Sequence, residues 1–391
     1  MKVLMQLVLA AVLAAAVGVA GCRKGEKPAR GEHGGPAGVI GGQAWRIFRG
    51  DQGLRGVAEG QLPDALELKW KFKTGDVVRS SAVISGGVVF IGSDDRRVYA
   101  IDAGTGKEVW SFETKDGVEA APLVVDGVVY VGSWDTFFYG IDAGTGGLKW
   151  KHETDAEITG SANWTEGAGE KGKWIVVGSH DFCLYCFGPA DGKVMWKYES
   201  DNFINGAPAV YGGRVFFGGC DALIHEVSLA DGTRAGQIET GSYIAASAAV
   251  GEGRVYVGNY DNFFLCGDLG ERKVAWEFRQ SEDAFFSSPA VSGEVVIVGC
   301  RDDRLYCLRR ADGGLVWAFQ TKGDVDSSPV ICGDKVVFGC EDGRLYVVRL
   351  ADGGLVWSYD TGQPIISSPA VAGGLVVVGC DDGYVYAFGA K

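Results

Sequence analysis

Tryptophan recurs at a nearly constant spacing along this chain. One slot of the series holds glycine, and the successive steps are 40, 40, 46, 40, 40, 41 and 40 residues: Trp70, Trp110, Trp150, Trp196, Gly236, Trp276, Trp317 and Trp357. A fixed period of this length is typical of one supersecondary unit that is stacked many times. This period constrains the architecture more than any local sequence signal does. No group of residues typical of a catalytic site is recognisable within the repeats.

Each repeat carries the pattern of four short strands. In the last repeat, small residues (366–371) precede a glycine turn, an alternating apolar strand (375–379), a turn that holds an Asp, and a strand centred on Tyr386. Apolar runs separated by Gly and Asp turns every eight to twelve residues indicate strands, and four strands in about 40 residues are typical of a propeller blade. The sequence predicts an all-β fold, an eight-bladed β-propeller of four-stranded blades.

One strand is missing at the end of the series. The repeat that begins at Trp357 has no following tryptophan strand, so its blade lacks an outer strand. Residues 45–48, with the sequence Trp-Arg-Ile-Phe, stand just ahead of the first repeat, and we expect them to supply that strand. Such closure removes the free sheet edges that invite aggregation. The predicted propeller spans residues 45–391.

The turn before each tryptophan carries a recognisable motif. Residues 100–110 read A-I-D-A-G-T-G-K-E-V-W, residues 140–150 repeat this pattern with Gly first, and later repeats shorten it to Ala-Asp-Gly, as at 311–313 and 351–353. This motif resembles that of the quinoprotein-type (PQQ-like) propeller repeats, and the resemblance covers about residues 45–388. A Thr-Gly or Asp-Gly turn reverses the chain tightly, and we expect the tryptophans to fill the gaps between neighbouring blades.

The N-terminal residues have the features of an export signal. Lys2, an apolar stretch from Val3 to Ala20 and the Val-Ala-Gly-Cys sequence that ends at Cys22 resemble a bacterial lipoprotein signal peptide (1–21), with Cys22 as the acylated residue. A plain signal peptide and an uncleaved anchor are the alternatives. Residues 22–44, rich in Gly, Pro and charge, are predicted to be a flexible tether. Arg23 after Cys22 fits sorting to the outer membrane, facing the periplasm.

Composition excludes some partners and cofactors. The formal net charge is −13, and no basic stripe is present, which argues against a nucleic-acid partner. An Asp stands at one equivalent turn in all eight repeats: Asp95, Asp135, Asp181, Asp221, Asp261, Asp302, Asp342 and Asp382. Side chains in separate blades are too far apart to share an ion, and Asp at a turn bonds its own backbone. We therefore predict that these residues are structural and that the protein holds no metal.

The ten cysteines do not form a disulfide or metal framework. Cys300, Cys340 and Cys380 occupy one repeat position in consecutive blades, at separations beyond disulfide reach. Cys183 and Cys186 form a CxxC, but residues three apart on a strand face opposite sides of the sheet. Apart from Cys22, most of them are interpreted as small buried hydrophobic residues.

Candidate contact residues lie on the innermost strands. Each repeat places an apolar residue before its small pair, and the residue after it varies from blade to blade and is expected to face the channel mouth. The polar members of this set are the ligand or partner candidates: Arg79, Glu119, Asn205 and Asp326. Blade three adds an insertion flanked by Trp164 and Trp174, whose aromatic side chains suit a protein contact.

Three functions fit this pattern. The lipoprotein signal, the short tether and the bare propeller resemble the BamB family of outer-membrane assembly factors, which implies a non-catalytic periplasmic scaffold, bound to the β-barrel assembly machinery and without cofactor. A ligand-binding or sensor propeller is the first alternative. A quinone-dependent dehydrogenase is the second; the dehydrogenases of this resemblance carry PQQ and calcium, often with an adjacent Cys-Cys pair, which this sequence lacks.

Overall fold

A computed structural model describes residues 44–167 and 172–391, and every regular element in these two stretches is a β-strand. The predicted signal peptide, Cys22 and the predicted tether up to residue 43 lie outside the described residues. Within the described part of the chain, no helix is long and apolar enough to cross a membrane.

Two strands, β1 (Val57–Ala58) and β2 (Glu67–Lys73), precede the regular series, and β2 is the longest strand of the structure. The strands of the first half are β1 Val57–Ala58, β2 Glu67–Lys73, β3 Val83–Ser85, β4 Val88–Ser93, β5 Arg97–Asp102, β6 Glu108–Glu113, β7 Leu123–Val125, β8 Val128–Gly132, β9 Phe137–Asp142, β10 Leu148–Glu153, β11 Asn163–Glu166, β12 Lys173–Gly178, β13 Cys183–Phe187, β14 Val194–Glu199, β15 Ala209–Tyr211, β16 Arg214–Gly218, β17 Leu223–Ser228 and β18 Arg234–Glu239. Those of the second half are β19 Ala249–Gly251, β20 Arg254–Gly258, β21 Phe264–Asp268, β22 Lys273–Phe278, β23 Ala290–Ser292, β24 Val295–Cys300, β25 Arg304–Arg309, β26 Leu315–Gln320, β27 Val330–Cys332, β28 Lys335–Gly339, β29 Arg344–Arg349, β30 Leu355–Asp360, β31 Ala370–Ala372, β32 Leu375–Gly379 and β33 Tyr384–Gly389.

These strands form eight sheets, which confirms the predicted eight-bladed propeller. Blades one to seven are antiparallel meanders of four consecutive strands, β3–β6 through β27–β30, in which the first strand is innermost and the fourth is outermost. Blade eight contains β31, β32, β33 and β2. The second and third strands of the blades are almost fully buried, because the apolar residues on both of their faces pack against neighbouring blades.

The closing strand is not the one expected. The outer strand of blade eight is β2, which pairs antiparallel with β33 and places Trp70 opposite Ala387. The prediction that residues 45–48 close the ring is therefore wrong. Every tryptophan of the series lies on the outer, fourth strand of a blade. The three inner strands of a blade do not precede Trp70 in the sequence, so its strand completes the last blade instead. Residues 45–48 instead lie at the centre of the ring, where Trp45 forms a single bridge with Ile84 of β3.

The tryptophans join each blade to the next, as predicted. The indole N–H of Trp70 donates to the carbonyl of Ala103 in blade one at 2.8 Å, and five further members of the series make the same bond at 2.9–3.0 Å: Trp110, Trp150, Trp196, Trp276 and Trp317. The ring of Trp70 lies against Gly106, where φ is +70° and a Cβ atom would approach the indole to 2.6 Å. Glycine is required there both for the backbone conformation and for the space.

The slot that holds Gly236 is filled by an ionic cluster. Glu226, almost buried on β17, accepts hydrogen bonds from Arg214 and from Arg272, the latter at 2.9 Å. A Cβ atom on Gly236 would meet both Arg272 and Glu226 at 2.3 Å. The two arginines and the carboxylate thus occupy the space that an indole fills in the other blades. Within this cluster, charge pairing compensates for the burial of Glu226.

The turn aspartates are structural. Asp135 accepts the backbone N–H of Phe137 two residues on, at 3.0 Å, and the hydroxyl of Tyr139 at 2.6 Å. Equivalent tyrosine bonds occur at Asp95, Asp181, Asp302, Asp342 and Asp382. In blade four the partner of Asp221 is His225, at 2.7 Å. These seven aspartates therefore fix the turns between the second and third strands. In blade five, Asn259 instead accepts the backbone N–H of Phe263 at 3.0 Å.

The nine cysteines of the described chain are free thiols, and eight of them are buried. Cys300, Cys340 and Cys380 occupy the position that Ser93 fills in blade one. The thiol of Cys300 donates to the carbonyl of Asp283 at 3.1 Å, much as the Ser93 hydroxyl donates to Val77. These residues are therefore weak donors as well as small buried side chains. Burial raises the pKa of Cys183 to about 11, which keeps it protonated at neutral pH.

Candidate functional site: the channel mouth

A segment that carries no repeat pattern closes one end of the central channel. Residues 45–58, named here the channel plug, run past the inner strands of blades one to seven. In six blades an inner-strand amide donates to a plug carbonyl: Ile84 to Trp45, Val124 to Arg46, Val210 to Gln52, Val250 to Gly53, Val291 to Arg55 and Ile331 to Gly56. In blade three the side chain of Asn163 donates to the carbonyl of Gln52 at 2.8 Å. The plug ends in β1, which pairs parallel with β27.

Arg49 fastens the plug to the channel wall. Its side chain is 1% exposed and its guanidinium donates to three carbonyls of blades six and seven, those of Ser328, Pro289 and Pro329, at 3.0, 3.0 and 2.5 Å. Burial lowers the pKa of Arg49 to about 9, against a smaller opposite effect from Asp51. The group therefore remains charged at neutral pH, and carbonyl dipoles compensate for its burial.

The opposite end of the channel is open, and it holds most of the predicted contact residues. Arg79, Glu119 and Asn205 line one cavity of about 180 Å³ whose floor is Phe48 of the plug. Each lies five residues before an inner-strand residue that contacts the plug, so the inner strand places them at the far end of the channel. Below them, small residues form a belt in which the amide of one blade donates to a hydroxyl of the next, as Ser328 does to Ser368 at 3.0 Å.

A second set of variable residues surrounds this ring. It occupies the position just before each turn aspartate: Asp94, Trp134, His180, Cys220, Tyr260, Arg301, Glu341 and Asp381. The two sets contact each other. Arg79 pairs with Asp381 at 3.1 Å, Thr159 bonds His180 at 3.0 Å, and Asn205 donates to the Cys220 sulfur at 3.1 Å. These residues are not among the contacts predicted from the sequence, although each stands at a fixed repeat position whose residue type changes from blade to blade.

One half of the mouth, formed by blades seven, eight and one with Glu119 of blade two and Arg301 of blade six, is acidic. This acidic half contains six carboxylates and two arginines: Asp94, Glu119, Asp324, Asp326, Glu341, Asp381, Arg79 and Arg301. Arg301 bonds Asp326 at 2.6 Å, and Arg79 bonds Asp381. Burial, and then the nearby carboxylates, raise the pKa of Asp324 and Glu341. Burial likewise raises the pKa of Asp94, to about 6, and that of Glu119. The arginines therefore do not balance the negative charge of this half.

The other half of the mouth, across blades two to six, is aromatic. Trp134, His180, Phe182 and Phe203 form one group, in which the rings of His180 and Phe203 lie 5.3 Å apart and those of Phe182 and Phe203 5.2 Å. Tyr243, Tyr260 and Phe286 form the second group, with the Tyr260 and Phe286 rings 4.8 Å apart. Phe203 and Tyr243 occupy the same repeat position in adjacent blades, so the two groups are neighbours.

The remaining predicted contact residues are Asp326, Trp164 and Trp174, and of these only Asp326 lies at the mouth. Asp326 stands at the same ring position as Arg79 and is engaged by Arg301. Trp174 is buried at 6% exposure, so its interpretation as an exposed contact is wrong: its ring packs between blades three and four. Trp164 is half-buried beneath the Lys173 ammonium, 4.8 Å from the ring centroid, and its carbonyl accepts from Gln52 of the plug at 2.7 Å. Trp164 and Trp174, which flank the insertion, therefore lie toward the closed end of the channel rather than at the mouth.

The mouth does not fit a metal–quinone centre. Among residues 44–167 and 172–391, no group of three or more His, Cys, Asp or Glu side chains is arranged to hold a metal ion. Asp326 and Asp381 are each bonded to an arginine, which competes with a cation for the same oxygens. The cavity of about 180 Å³ is also below the size usual for small-molecule pockets, roughly 300–1,000 Å³.

Asp94 gives the mouth a measurable pH dependence. Its Oδ1 is buried without a hydrogen-bond partner in the described residues. Because its folded pKa of about 6 lies above the unfolded value, the folded protein binds this proton more tightly, and stability falls as pH rises from about 4 to about 6. Asp94→Asn should therefore stabilise the protein by about 1 kcal/mol near neutral pH, a value reduced for solvent screening because the side chain is half-buried.

Urea unfolding at about pH 7.5 and about pH 4 tests this expectation, since the gain should vanish at the lower pH. The exposed Glu294, in a turn at the closed end, provides the control Glu294→Gln, which should change stability at neither pH. An equal gain from Asp94→Asn at both values would show that the ionised carboxylate is not its cause.

Fold and channel together define the class of this protein: an eight-bladed propeller of PQQ-like repeats whose channel is closed at one end by its own N-terminal segment. The family described as outer membrane protein assembly factor BamB matches residues 41–167, 159–262 and 220–391. The chain belongs to that family. No curated protein matches it by sequence.

Solved structures of two kinds share the fold. BamB from Moraxella catarrhalis is 15% identical, with a TM-score of 0.68 over 83% of this chain and 100% of the other. Quinohemoprotein alcohol dehydrogenase from Comamonas testosteroni is 14% identical, with a TM-score of 0.74 over 88% and 80%. A europium-containing methanol dehydrogenase is 12% identical, with a TM-score of 0.75 over 89% and 98%. At such identities the likeness extends to the fold and not to the activity.

Proposed function

We propose that this protein is a non-catalytic, lipid-anchored scaffold that takes part in the assembly of outer-membrane β-barrel proteins. The observation that carries the proposal is the closed channel. Residues 45–58 bond to the inner strands of successive blades, and Phe48 leaves only a shallow cavity behind the mouth. A propeller closed in this way offers its rims and loops to partners rather than a deep pocket to a substrate.

The proposed location follows from the N-terminal sequence. Cleavage before Cys22 and acylation of that residue would anchor the chain to the outer membrane, with residues 23–44 as a spacer to the propeller. The spacer precedes the plug directly, so the closed end of the channel is the end nearest the anchor along the chain. The open mouth is then the end available to partners in the periplasm.

A crosslinking experiment on the full chain in its native membrane tests this function. Pull-down after crosslinking should recover a subunit of the β-barrel assembly machinery from the outer-membrane fraction, and Cys22→Ser should move the protein to the soluble fraction. Dye-linked oxidation of an alcohol or a sugar, restored by PQQ plus calcium, would overturn the non-catalytic assignment. A protein found at the inner membrane without any barrel-assembly subunit would overturn the scaffold.

A further inference from the structure

Exposed aromatic side chains are concentrated at the channel mouth. Six large aromatic residues are exposed in the described part of the chain, and five of them belong to the aromatic half: Trp134, Phe182, Phe203, Tyr243 and Tyr260. The sixth, Tyr211, lies in an inner-hairpin turn at the closed end. Single exposed hydrophobic residues are ordinary, but a grouped set on one rim is typical of a contact surface.

The aromatic half is continuous with the acidic half at two seams. At the first seam the guanidinium of Arg301 lies over the ring of Phe286, 3.4 Å from its centroid, while bonding Asp326. At the second seam the side chain of Trp134 is a close neighbour of the Glu119 carboxylate and opposes the rise in its pKa. The two halves therefore form one surface whose side chains are held in place by mutual contacts, so little ordering is needed when a partner binds.

The charge of this surface specifies its partner. Six carboxylates face two guanidinium groups in the acidic half, and a cation placed there would relieve the repulsion among the carboxylates. The neighbouring rings favour apolar and aromatic groups, and they also attract cations through their faces. The cavity behind the mouth is too small to enclose a drug-sized ligand, so the partner lies across the rim and contacts both halves.

We propose that the channel mouth binds a polypeptide segment in which basic side chains lie next to aromatic ones. The basic side chains contact the acidic half, and the aromatic ones pack on the rings of blades two to six. This inference rests on the proposed scaffold function and identifies the surface and the partner chemistry through which the scaffold acts.

Peptide binding to the purified full chain tests the proposal. The probe is a fluorescein-labelled twelve-residue peptide of alternating arginine and phenylalanine, compared with one in which Glu replaces Arg and one in which Ser replaces Phe. Fluorescence anisotropy should show that the first peptide binds at least about tenfold more tightly than either of the others, because each lacks one half of the required chemistry. Its affinity should fall as salt is raised.

Matched variants locate the binding surface. The double variant Phe203→Ser/Tyr243→Ser should weaken binding about tenfold, while Tyr211→Ser should leave it unchanged. Asp324→Asn/Glu341→Gln should weaken binding about fivefold and flatten the salt dependence, while Glu294→Gln should do neither. All of these side chains are at least partly exposed, and equal urea midpoints will verify that the variants fold.

Three results would overturn the proposal. The first is equal binding of the arginine–phenylalanine peptide by the mouth variants and their controls. The second is equal binding of the glutamate-containing peptide. Displacement of the peptide by a neutral oligosaccharide, but not by an unlabelled peptide, would also overturn it in favour of a carbohydrate ligand.

The pull-down distinguishes this inference from the function on which it rests. Recovery of a barrel-assembly subunit by the unaltered chain and equally by both mouth variants would leave the scaffold standing and remove the mouth as its contact surface. Peptide binding that depends on the mouth, without recovery of any such subunit, would support the surface and remove the barrel-assembly role.

Discussion

Replacing Trp70 by Ala should destabilise the propeller by about 4 kcal/mol, the cost typical of a large aromatic residue removed from a packed core. Trp70 is the point at which the ring closes: it lies on β2, the outer strand of blade eight, and its indole bonds the Ala103 carbonyl of blade one at 2.8 Å. Its side chain is 8% exposed. Loss of the indole removes both the contact between the first and last blades and a buried hydrogen bond.

Trp357 provides the matched control. It lies on β30, the outer strand of blade seven, is only half-buried, and packs against Phe388 with 5.5 Å between ring centroids. In blade eight, β33 and β2 are distant in sequence and are not joined by the turn that normally receives the indole. Trp357→Ala should therefore cost about half as much as Trp70→Ala, roughly 2 kcal/mol. Urea unfolding measures the free energy of unfolding of both variants. Equal losses would mean that the contact between the first and last blades contributes no more to stability than the contact between blades seven and eight.

Replacing Arg49 by Ala should cost about 3 kcal/mol, because three buried carbonyls lose a charged donor and the side chain leaves a cavity. Arg49→Lys should recover part of this loss, since one ammonium cannot reach all three acceptors in the geometry of the guanidinium fork. Arg55, exposed and paired with Asp51 at 2.7 Å, is the control. Arg55→Ala should change stability by less than about 0.5 kcal/mol.

Hydrogen exchange gives this second prediction a local readout. The amides of Val210, Val250 and Ile331 donate to plug carbonyls, so release of the plug exposes them while the sheets remain intact. Arg49→Ala should therefore accelerate exchange at these three amides ahead of global unfolding. Acceleration spread evenly over the second and third strands would instead indicate that Arg49 stabilises the whole ring and does not fasten the plug in particular.

The sequence predicts the repeated parts of this protein well because repetition is itself a physical constraint. The spacing of Trp110, Trp150 and the other tryptophans specifies eight sheets, and the turn aspartates behave as their position requires. The closing strand was misassigned because residues 45–48 and 67–73 both contain a tryptophan beside apolar residues. Only the rule that each tryptophan of the series occupies an outer strand distinguishes the closing strand, residues 67–73, from residues 45–48.

The candidate site is predictable in part. Arg79, Glu119 and Asn205 reach one cavity because alternation along the inner strand determines which side chains face the channel. The plug is not predictable, since its side chains and backbone bond to residues up to 280 positions away, as the Arg49 guanidinium does when it donates to the Pro329 carbonyl, and no local pattern encodes such partners. The division of the mouth into acidic and aromatic halves likewise depends on the order in which dissimilar blades meet around the axis.

The pairing of β2 with β33 has a consequence for how the molecule is made. Glu67–Lys73 leaves the ribosome more than three hundred residues before Tyr384–Gly389, the strand it pairs with. Throughout that interval the first tryptophan strand lacks its partner, and its hydrogen-bonding edge stays unpaired. Contacts at such sequence separation form slowly during folding. A nascent chain that stops before its last strand would therefore expose an unpaired strand edge to which neighbouring chains could bond.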